Sequence, residues 1–501
     1  MQVSKPYLHH GAREHAMGEL QGTLFALDFN RSVRVEARPE RLTVDAGALL
    51  LRELSDKLGL PALAERHLSD PRQAARVQHP FLELVRTRLL TIAQGWADQN
   101  DIALLHDDPV FRLAVSERRG DSPLRAPREN QPDGLCSQPT LSRLQKALAS
   151  EENRTGLGVI LRQIARPFFT PRSEITVDLD SLPYEVHGHQ AESAYNGHYG
   201  MRCYHPLVAS VLGRFFLGAR LRPGNAHTAD GGLDFVLPIV NWLRTFIEQV
   251  WVRADAGFPE PSFLDTLEAE GIPYVCRIRG NRKLDRLAEP FLRRPPGRPP
   301  ADGRTWLHEL TYQAKSWSRA RRVVLVVVER PDEQQHLFLD YFFLLTSASA
   351  DEENAEALLK RYRQRGTAEA DFGDCNTALS PKLSSAQRTK RHYRGHVIRE
   401  PYQIHDGFGA NEAELLLLLT AANLMAAGAE LLQVQGQARY SRERFRAFLL
   451  KTAGRVLLGS HCVTVIIASA RAHLWQRFRD RLSVLNHARG SPRPEALPAR
   501  A

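Results

Sequence analysis

Cysteine is scarce in this chain: five residues, Cys136, Cys203, Cys276, Cys375 and Cys462, odd in number, far apart and never in a CxxC pair. That pattern indicates neither a disulfide framework nor a zinc finger, and a reducing cytoplasm is the expected location. Long hydrophobic runs are missing too. The most apolar stretch, Leu415 to Ala429, contains Asn423 and falls short of the roughly 20 residues that a membrane span needs. A buried helix is the expectation there, with no membrane partner. The segment Met1 to His10 lacks the continuous apolar region of a secretion signal. Acidic charge is in the minority, with 57 Asp and Glu against 67 Lys and Arg, a formal net charge of +10 and a pI near 9.5. This balance favours a polyanionic partner, because cations that neutralise phosphates release condensed counterions; a merely soluble basic protein is the plain alternative.

With 501 residues, 43% of them hydrophobic, the chain exceeds the size at which a single core stops growing, so several domains are expected. Residues 1–170 read as a helical N-terminal region. Leu50, Leu51, Leu54 and Leu58 share one face, and a second apolar period runs from Phe81 to Ile92. Glu117 to Gly134 reads as an exposed linker, after which Ser137 offers an N-cap. The helix that follows would expose Thr140, Ser142 and Arg143, either to contact DNA or as an ordinary surface.

Strands take over after Arg172. Glu174 to Leu179 alternates, Tyr204 to Leu212 and Arg214 to Leu221 suit strands, Phe235 to Val250 is an amphipathic helix, and Ile272 to Ile278 is a further strand. This order resembles a ribonuclease H-like α/β core, its first part spanning 171–275. From Asp255 to Glu369 the chain runs much further than one crossover helix requires. Two β-rich runs, Val323 to Val328 and His336 to Leu345, point to a β-rich insertion over 276–350. Glu352 to Arg365 resumes as helix, and 351–410 completes the core. C-terminal helices then fill 411–486, with Arg442 to Val456 amphipathic and basic, and 487–501 is a disordered tail without periodicity.

Three carboxylates stand out in this frame. Asp178 and Asp180 in Ile175 to Ser181 lie two apart on a strand and share a face, so either could bind metal; a solvated pair at a strand edge reads the same way. Asp255 sits where Val250-Trp-Val252 gives way to Ala256-Gly-Phe258, at the carboxyl end of a strand, where α/β folds carry functional groups. A simple turn Asp would look alike. Tyr362, Arg365 and Glu369 fall at i, i+3 and i+7, which one helix would display on one face, the carboxylate toward a metal and the Arg and Tyr toward phosphate. A solvated face with a local Arg/Glu pair is the alternative. Carboxylates from three distant segments can hold two divalent metals about 4 Å apart, which activate a nucleophile and stabilise a leaving oxygen.

Other clusters carry less. His187-Gly-His189 lacks a further ligand set, and the Gly suggests a turn. Tyr195 to Tyr199 reads as a turn between strands, or as an aromatic DNA contact. Between Cys375 and Arg399 no acidic residue occurs, whereas Lys382, Arg388, Lys390, Arg391, Arg394 and Arg399 are basic. This run directly follows the helix of Glu369 and is expected to lie along DNA, with an ordinary solvated face as the alternative. The arginines from Arg277 to Arg304 are diluted by Asp285, Glu289 and Asp302.

Together these segments resemble the DDE transposases of bacterial insertion sequences, in the cut-and-paste group with a β-strand insertion and a Tyr-x2-Arg-x3-Glu-x6-Lys signature. Tyr362, Arg365 and Glu369 match its first three positions, while Asn376 stands at the Lys position and Lys382 is out of register. Further likeness lies in Leu42 to Leu54, Asn100-Asp101, Gln138 to Arg143, His187 to Gln190, Tyr195 to Tyr199 and Tyr204 to Leu207, so the match runs from about Leu42 to about Leu485. The resemblance implies Asp180, Asp255 and Glu369 as catalytic metal ligands for Mg²⁺, with Mn²⁺ as a substitute. It favours Asp180 over Asp178, since Asp followed by Ser fits the first motif. It also implies double-stranded DNA as partner, in the form of terminal inverted repeats and target DNA, a hairpinned intermediate, and a homodimer on DNA. A DNA-binding protein whose catalysis has decayed, and a metal-dependent nuclease that cuts without joining, are the rival readings.

Overall fold

The structure, a computed structural model, describes residues 22–118, 123–124, 134–170, 172–188, 190–294, 296, 303–331, 337–385, 392–393, 396–397 and 407–485. In the N-terminal region α1 (Phe81–Gln94) is buried from Leu84 to Gln94 and stops at Gly95, whose φ of 90° lets the chain turn away. The next helix, α2 (Gln138–Leu148), buries Leu141, Leu144 and Leu148 along one stripe. Ser150 caps α3 (Glu151–Ala165) by accepting from the Asn153 N–H.

The centre is an eight-stranded sheet built from β1 (Glu174–Ser181), β2 (Leu207–Val211), β3 (Phe215–Arg220), β4 (Gln249–Ala254), β5 (Tyr274–Ile278), β6 (Arg304–Tyr312), β7 (Arg321–Pro331) and β8 (Leu337–Thr346), in the order β6-β7-β8-β5-β4-β1-β2-β3. The strands β5, β4 and β1 run parallel, as crossover connections through α4 (Gly232–Arg244) and α5 (Pro261–Ala269) require. All other neighbours are antiparallel. Between β2 and β3 the turn holds Leu212 and Gly213 at φ 59° and 55°. Gly213 is needed twice over, since a Cβ there would also lie 2.7 Å from the Thr367 side chain. The β-rich segment expected before Glu369 is present as β6, β7 and β8. It extends the central sheet from β5, because the continuous Val323 to Val328 run buries both its faces.

Beyond the sheet come α6 (Ala355–Arg363), α7 (Arg365–Leu379) and α8 (Gly407–Leu432). By length and composition α8 could cross a membrane, yet its apolar window is 94% buried inside the protein, packed on α3, α1 and β3. Several of its polar groups have partners: Glu414 Oε1 accepts from Arg88, Glu412 pairs with Arg154, and the Asn423 amide closes both backbone groups of Phe216, at 2.9 and 2.8 Å. The helix expected over Arg442 to Val456 is replaced by the short turns Arg442–Phe445 and Arg446–Leu450, followed by a strand, Gly454–Leu458. That strand pairs with Val463–Ile467 and Arg41–Thr43, so the C-terminal region is tied to the N-terminal one by a small sheet.

Candidate active site

Parallel pairing of β1 with β4 sets Asp178 directly beside Arg253. The two form a buried bidentate ion pair, Nε to Oδ1 at 2.5 Å and Nη2 to Oδ2 at 2.8 Å, a geometry that engages both carboxylate oxygens. Two residues further along, at the carboxyl ends of the same strands, stand Asp180 and Asp255. Asp180 accepts from the Ser181 N–H at 2.9 Å, and Asp255 from the Gly257 N–H at 2.8 Å. A side chain at position 257 would strike Thr228, so glycine keeps that turn closed.

The third element differs from the single helix expected. Gln364 interrupts it, so Tyr362 lies in the last turn of α6 while Arg365 opens α7 and Glu369 follows one turn later. Gly366, with its low helix propensity, lies beside the joint. The three residues still face one site. Arg365 donates from Nη2 to Asp180 Oδ2 at 2.8 Å and from Nη1 to Glu369 Oε1, and so stands between two of the three carboxylates. The Tyr362 ring packs near Phe342, over the apolar cluster that includes Trp251 and Val275.

Charge is concentrated here. Burial pushes the Asp180 carboxyl up to about 6; Arg365 opposes this, whereas Asp255 and Glu369 add to it. Burial lowers the Arg365 pKa, but Asp180 and Glu369 outweigh it and leave the guanidinium raised. Tyr199 and Tyr362 are both raised, first by burial, and both feel Asp255. The segment around Tyr199 is a turn between short strands, organised by Asn196 Oδ1, which accepts from the N–H groups of His198 and Tyr199. Behind it His205, 3% exposed, faces the Ala226 carbonyl through Nδ1 and lies within the influence of Asp255.

Several of these partners escaped the sequence reading. Arg253 was detectable as the lone cation in the strand, next to the apolar run Val250-Trp-Val252. Arg442 was not, because its partners are remote. Fully buried, it donates to Asp371 Oδ1 at 2.6 Å and Asp374 Oδ2 at 3.1 Å on α7, to the Ala422 carbonyl on α8 and to the Arg214 carbonyl beside β3. The helix that carries Glu369 is thereby fixed to three other elements.

Of the residues expected to meet DNA, Arg143 is exposed on α2 and Ser142 half-buried. Ser142 and Lys382 line one cleft of 830 Å³ together with Asp98 and Glu414, and Lys382 Nζ is 3.6 Å from Asp98. Asn376 is on α7, two turns after Glu369, with an enclosed Oδ1 that has no hydrogen-bond partner among the described residues. Arg388, Lys390, Arg391 and Arg394 lie outside the described residues, as does His189. Motif residues near the N-terminus have structural partners: Asp45 accepts from Trp96 Nε1 and Lys451, and Asp101 completes a capping box with Asp98.

Residues 25–489 match the family model described as Transposase DDE domain group 1. The chain belongs to this transposase family. Among solved structures the transposase is similar to one titled "Cryo-EM structure of piggyBac transposase synaptic complex with hairpin DNA (SNHP)", with 12% identity, a TM-score of 0.35, and coverage of 92% of this chain and 88% of that one. No curated protein matches it.

A DDE transposase is expected to use a divalent metal, and the donors of this transposase fit one in kind. Asp180, Asp255 and Glu369 offer oxygen ligands of the sort hard cations take, and their mutual influence on Asp180 is the repulsion a cation would relieve. They are not drawn into a closed set here. Among the described residues no three His, Cys, Asp or Glu side chains are grouped to hold one ion, and the Arg365 guanidinium joins Asp180 to Glu369.

Proposed function

We propose that this transposase cleaves DNA strands at the ends of an insertion sequence and joins the freed 3′ hydroxyl to target DNA. The observation that supports it best is that Arg365 joins Asp180 to Glu369, from two distant segments, while Asp255 from a third stands within electrostatic reach of Asp180 at the carboxyl ends of β1 and β4. We read β3-β2-β1-β4-β5 with its two crossover helices as a ribonuclease H-like core, and β6 to β8 as its insertion. Asp180, Asp255 and Glu369 hold Mg²⁺, or Mn²⁺ in its place, which supplies an activated nucleophile and stabilises the leaving oxygen. Asp178, held by Arg253, keeps the strand ends in register. Arg365 neutralises the carboxylates and, turned toward DNA, meets a phosphate with its planar fork; the Tyr362 hydroxyl stands beside it. Ser142, Arg143, Lys382 and the basic run after it position double-stranded DNA, and a homodimer in the cytoplasm brings two ends together.

The test is incubation of the protein with a DNA carrying the terminal inverted repeats that flank its coding sequence. Mg²⁺-dependent cuts at the repeat boundaries and joined target DNA support the reading. Cuts without joining indicate a nuclease. Asn376 at the signature Lys position favours one other reading, a binding protein with decayed catalysis, for which binding without cleavage in Mg²⁺ or Mn²⁺ is the expected result.

A further inference from the structure

The pair α6 and α7 presents a second face. Tyr362, Arg365 and Glu369 look toward the carboxylates, whereas Lys360, Gln364 and Thr367, at i, i+4 and i+7, line a separate cleft of 500 Å³. Its floor is the opening of β1, at Glu174 and Thr176, and the turn at Leu212 and Gly213 forms its rim.

The charges of this cleft do not cancel. Both of its carboxylates are taken by Arg361, whose Nη1 is 3.0 Å from Glu174 and whose Nε is 3.0 Å from Glu353, with the guanidinium stacked 4.0 Å from the Trp251 ring centroid. Arg253 is held by Asp178. That leaves Arg172, Lys360 and Arg439, all exposed around the cleft and with no ion-pair partner among the described residues. Three free cations converging on a concave surface beside hydroxyl groups suit a run of phosphates, and they offer little to distinguish one base from another.

We propose that this cleft is a second DNA-binding surface, which holds the sugar-phosphate backbone of double-stranded DNA irrespective of sequence. The inference rests on the reading of the chain as a DNA-cutting transposase and locates a contact apart from the carboxylates. Glu174 and Asp180 share the face of β1 and are separated by about 20 Å at ~3.3 Å per residue. A duplex at ~3.4 Å per base pair covers that span in about six pairs. DNA engaged at the carboxylates therefore needs only about half a helical turn to reach the three cations.

The experiment measures binding of the full chain to a short fluorescent duplex of arbitrary sequence, by anisotropy over a series of salt concentrations. Wild type is compared with a variant carrying Arg172→Gln, Lys360→Gln and Arg439→Gln, and with a charge-matched control carrying Arg66→Gln, Arg76→Gln and Lys315→Gln. The cleft variant should lose about 2 to 3 from the slope of log affinity against log salt, at ~0.9 per phosphate released, and bind at least about tenfold more weakly at physiological salt. The control should follow wild type. These substitutions are on exposed side chains, and equal thermal midpoints of the three proteins show that folding is not the cause. A cleft variant with the slope of the control, or wild type that does not bind the duplex, overturns the proposal. Cleavage of an element end by wild type in Mg²⁺ is scored separately: its absence, with the slope difference intact, counts against the enzymatic reading and not against this surface.

Discussion

The guanidinium of Arg365 reaches Asp180 with its Nη2 at 2.8 Å while its Nη1 holds Glu369, on the same helix. One side chain thus supplies the positive charge around which two of the three acidic residues gather.

A cation bound by the same carboxylates must compete with that guanidinium. In the absence of DNA, Arg365→Gln should therefore bind Mn²⁺ more tightly, by about tenfold for an interaction of ~1.4 kcal/mol, as read by electron paramagnetic resonance of free Mn²⁺. If Arg365 meets a phosphate as proposed, DNA cleavage should fall in the same variant. Weaker Mn²⁺ binding would show that Arg365 organises the metal ligands instead of competing with the ion.

Burial, above all, pushes the Asp180 carboxyl up to about 6 from its ordinary 3.8. A raised carboxyl pKa means that the charged form opposes folding. The penalty is complete above about pH 6, shrinks as pH falls through the window to 3.8, and vanishes below it. Asp180→Asn should accordingly stabilise the metal-free protein at pH 7.5, by about 1 to 3 kcal/mol, with the gain closing below about pH 4. Thermal midpoints of both proteins across that range check this, and a gain that grows toward acid would refute the assignment of the burden to Asp180.

Asp178 has a different fate. Its removal strands Arg253 in the core, so Asp178→Ala should cost about 3 to 5 kcal/mol, and pairing Asp178→Leu with Arg253→Met should restore much of it. Urea denaturation separates these cases. If Asp178→Ala unfolds like wild type, the buried pair is not what holds β1 to β4.

How much of this was legible in the sequence follows from the range of each interaction. Alternation in Glu174 to Leu179 and the apolar period of Phe81 to Ile92 report local burial, and a strand, Glu174–Ser181, and a helix, Phe81–Gln94, form there. The i, i+3, i+7 spacing of Tyr362, Arg365 and Glu369 pointed to a single helix, and the interruption at Gln364 that divides them between α6 and α7 left no mark beyond the neighbouring Gly366. Membership of β6 to β8 in the central sheet could not be read, because strand pattern gives burial and not the identity of the neighbour. Pairings such as Asp178 with Arg253 and Asp371 with Arg442 join segments remote in the chain, and no periodicity encodes them. Over Arg442 to Val456 the basic, amphipathic pattern misled, since the Arg442 side chain turns inward to α7 and Gly454 opens a strand.

Arg442 links α7 to α8 and β3, and a buried charge deprived of its partner is expensive. Arg442→Met should lower stability by about 3 to 5 kcal/mol, with Arg442→Lys falling between it and wild type. Hydrogen exchange should rise first in Arg365 to Leu379. Unchanged protection of that helix would mean that it is held by apolar contacts such as Phe372 alone.

The central claim is that Asp180, Asp255 and Glu369 act together on DNA. Its most direct test is a paired measurement on one element end at a single salt concentration: gel-shift affinity, and strand cleavage in Mg²⁺, for wild type and for the Ala variant at each of the three positions. Every single variant should lose cleavage, since the metal-dependent step needs all three, while affinity holds or rises slightly as a negative charge near phosphate is removed. A protein with all three replaced by Ala that still cuts the end in Mg²⁺ would place the active site elsewhere.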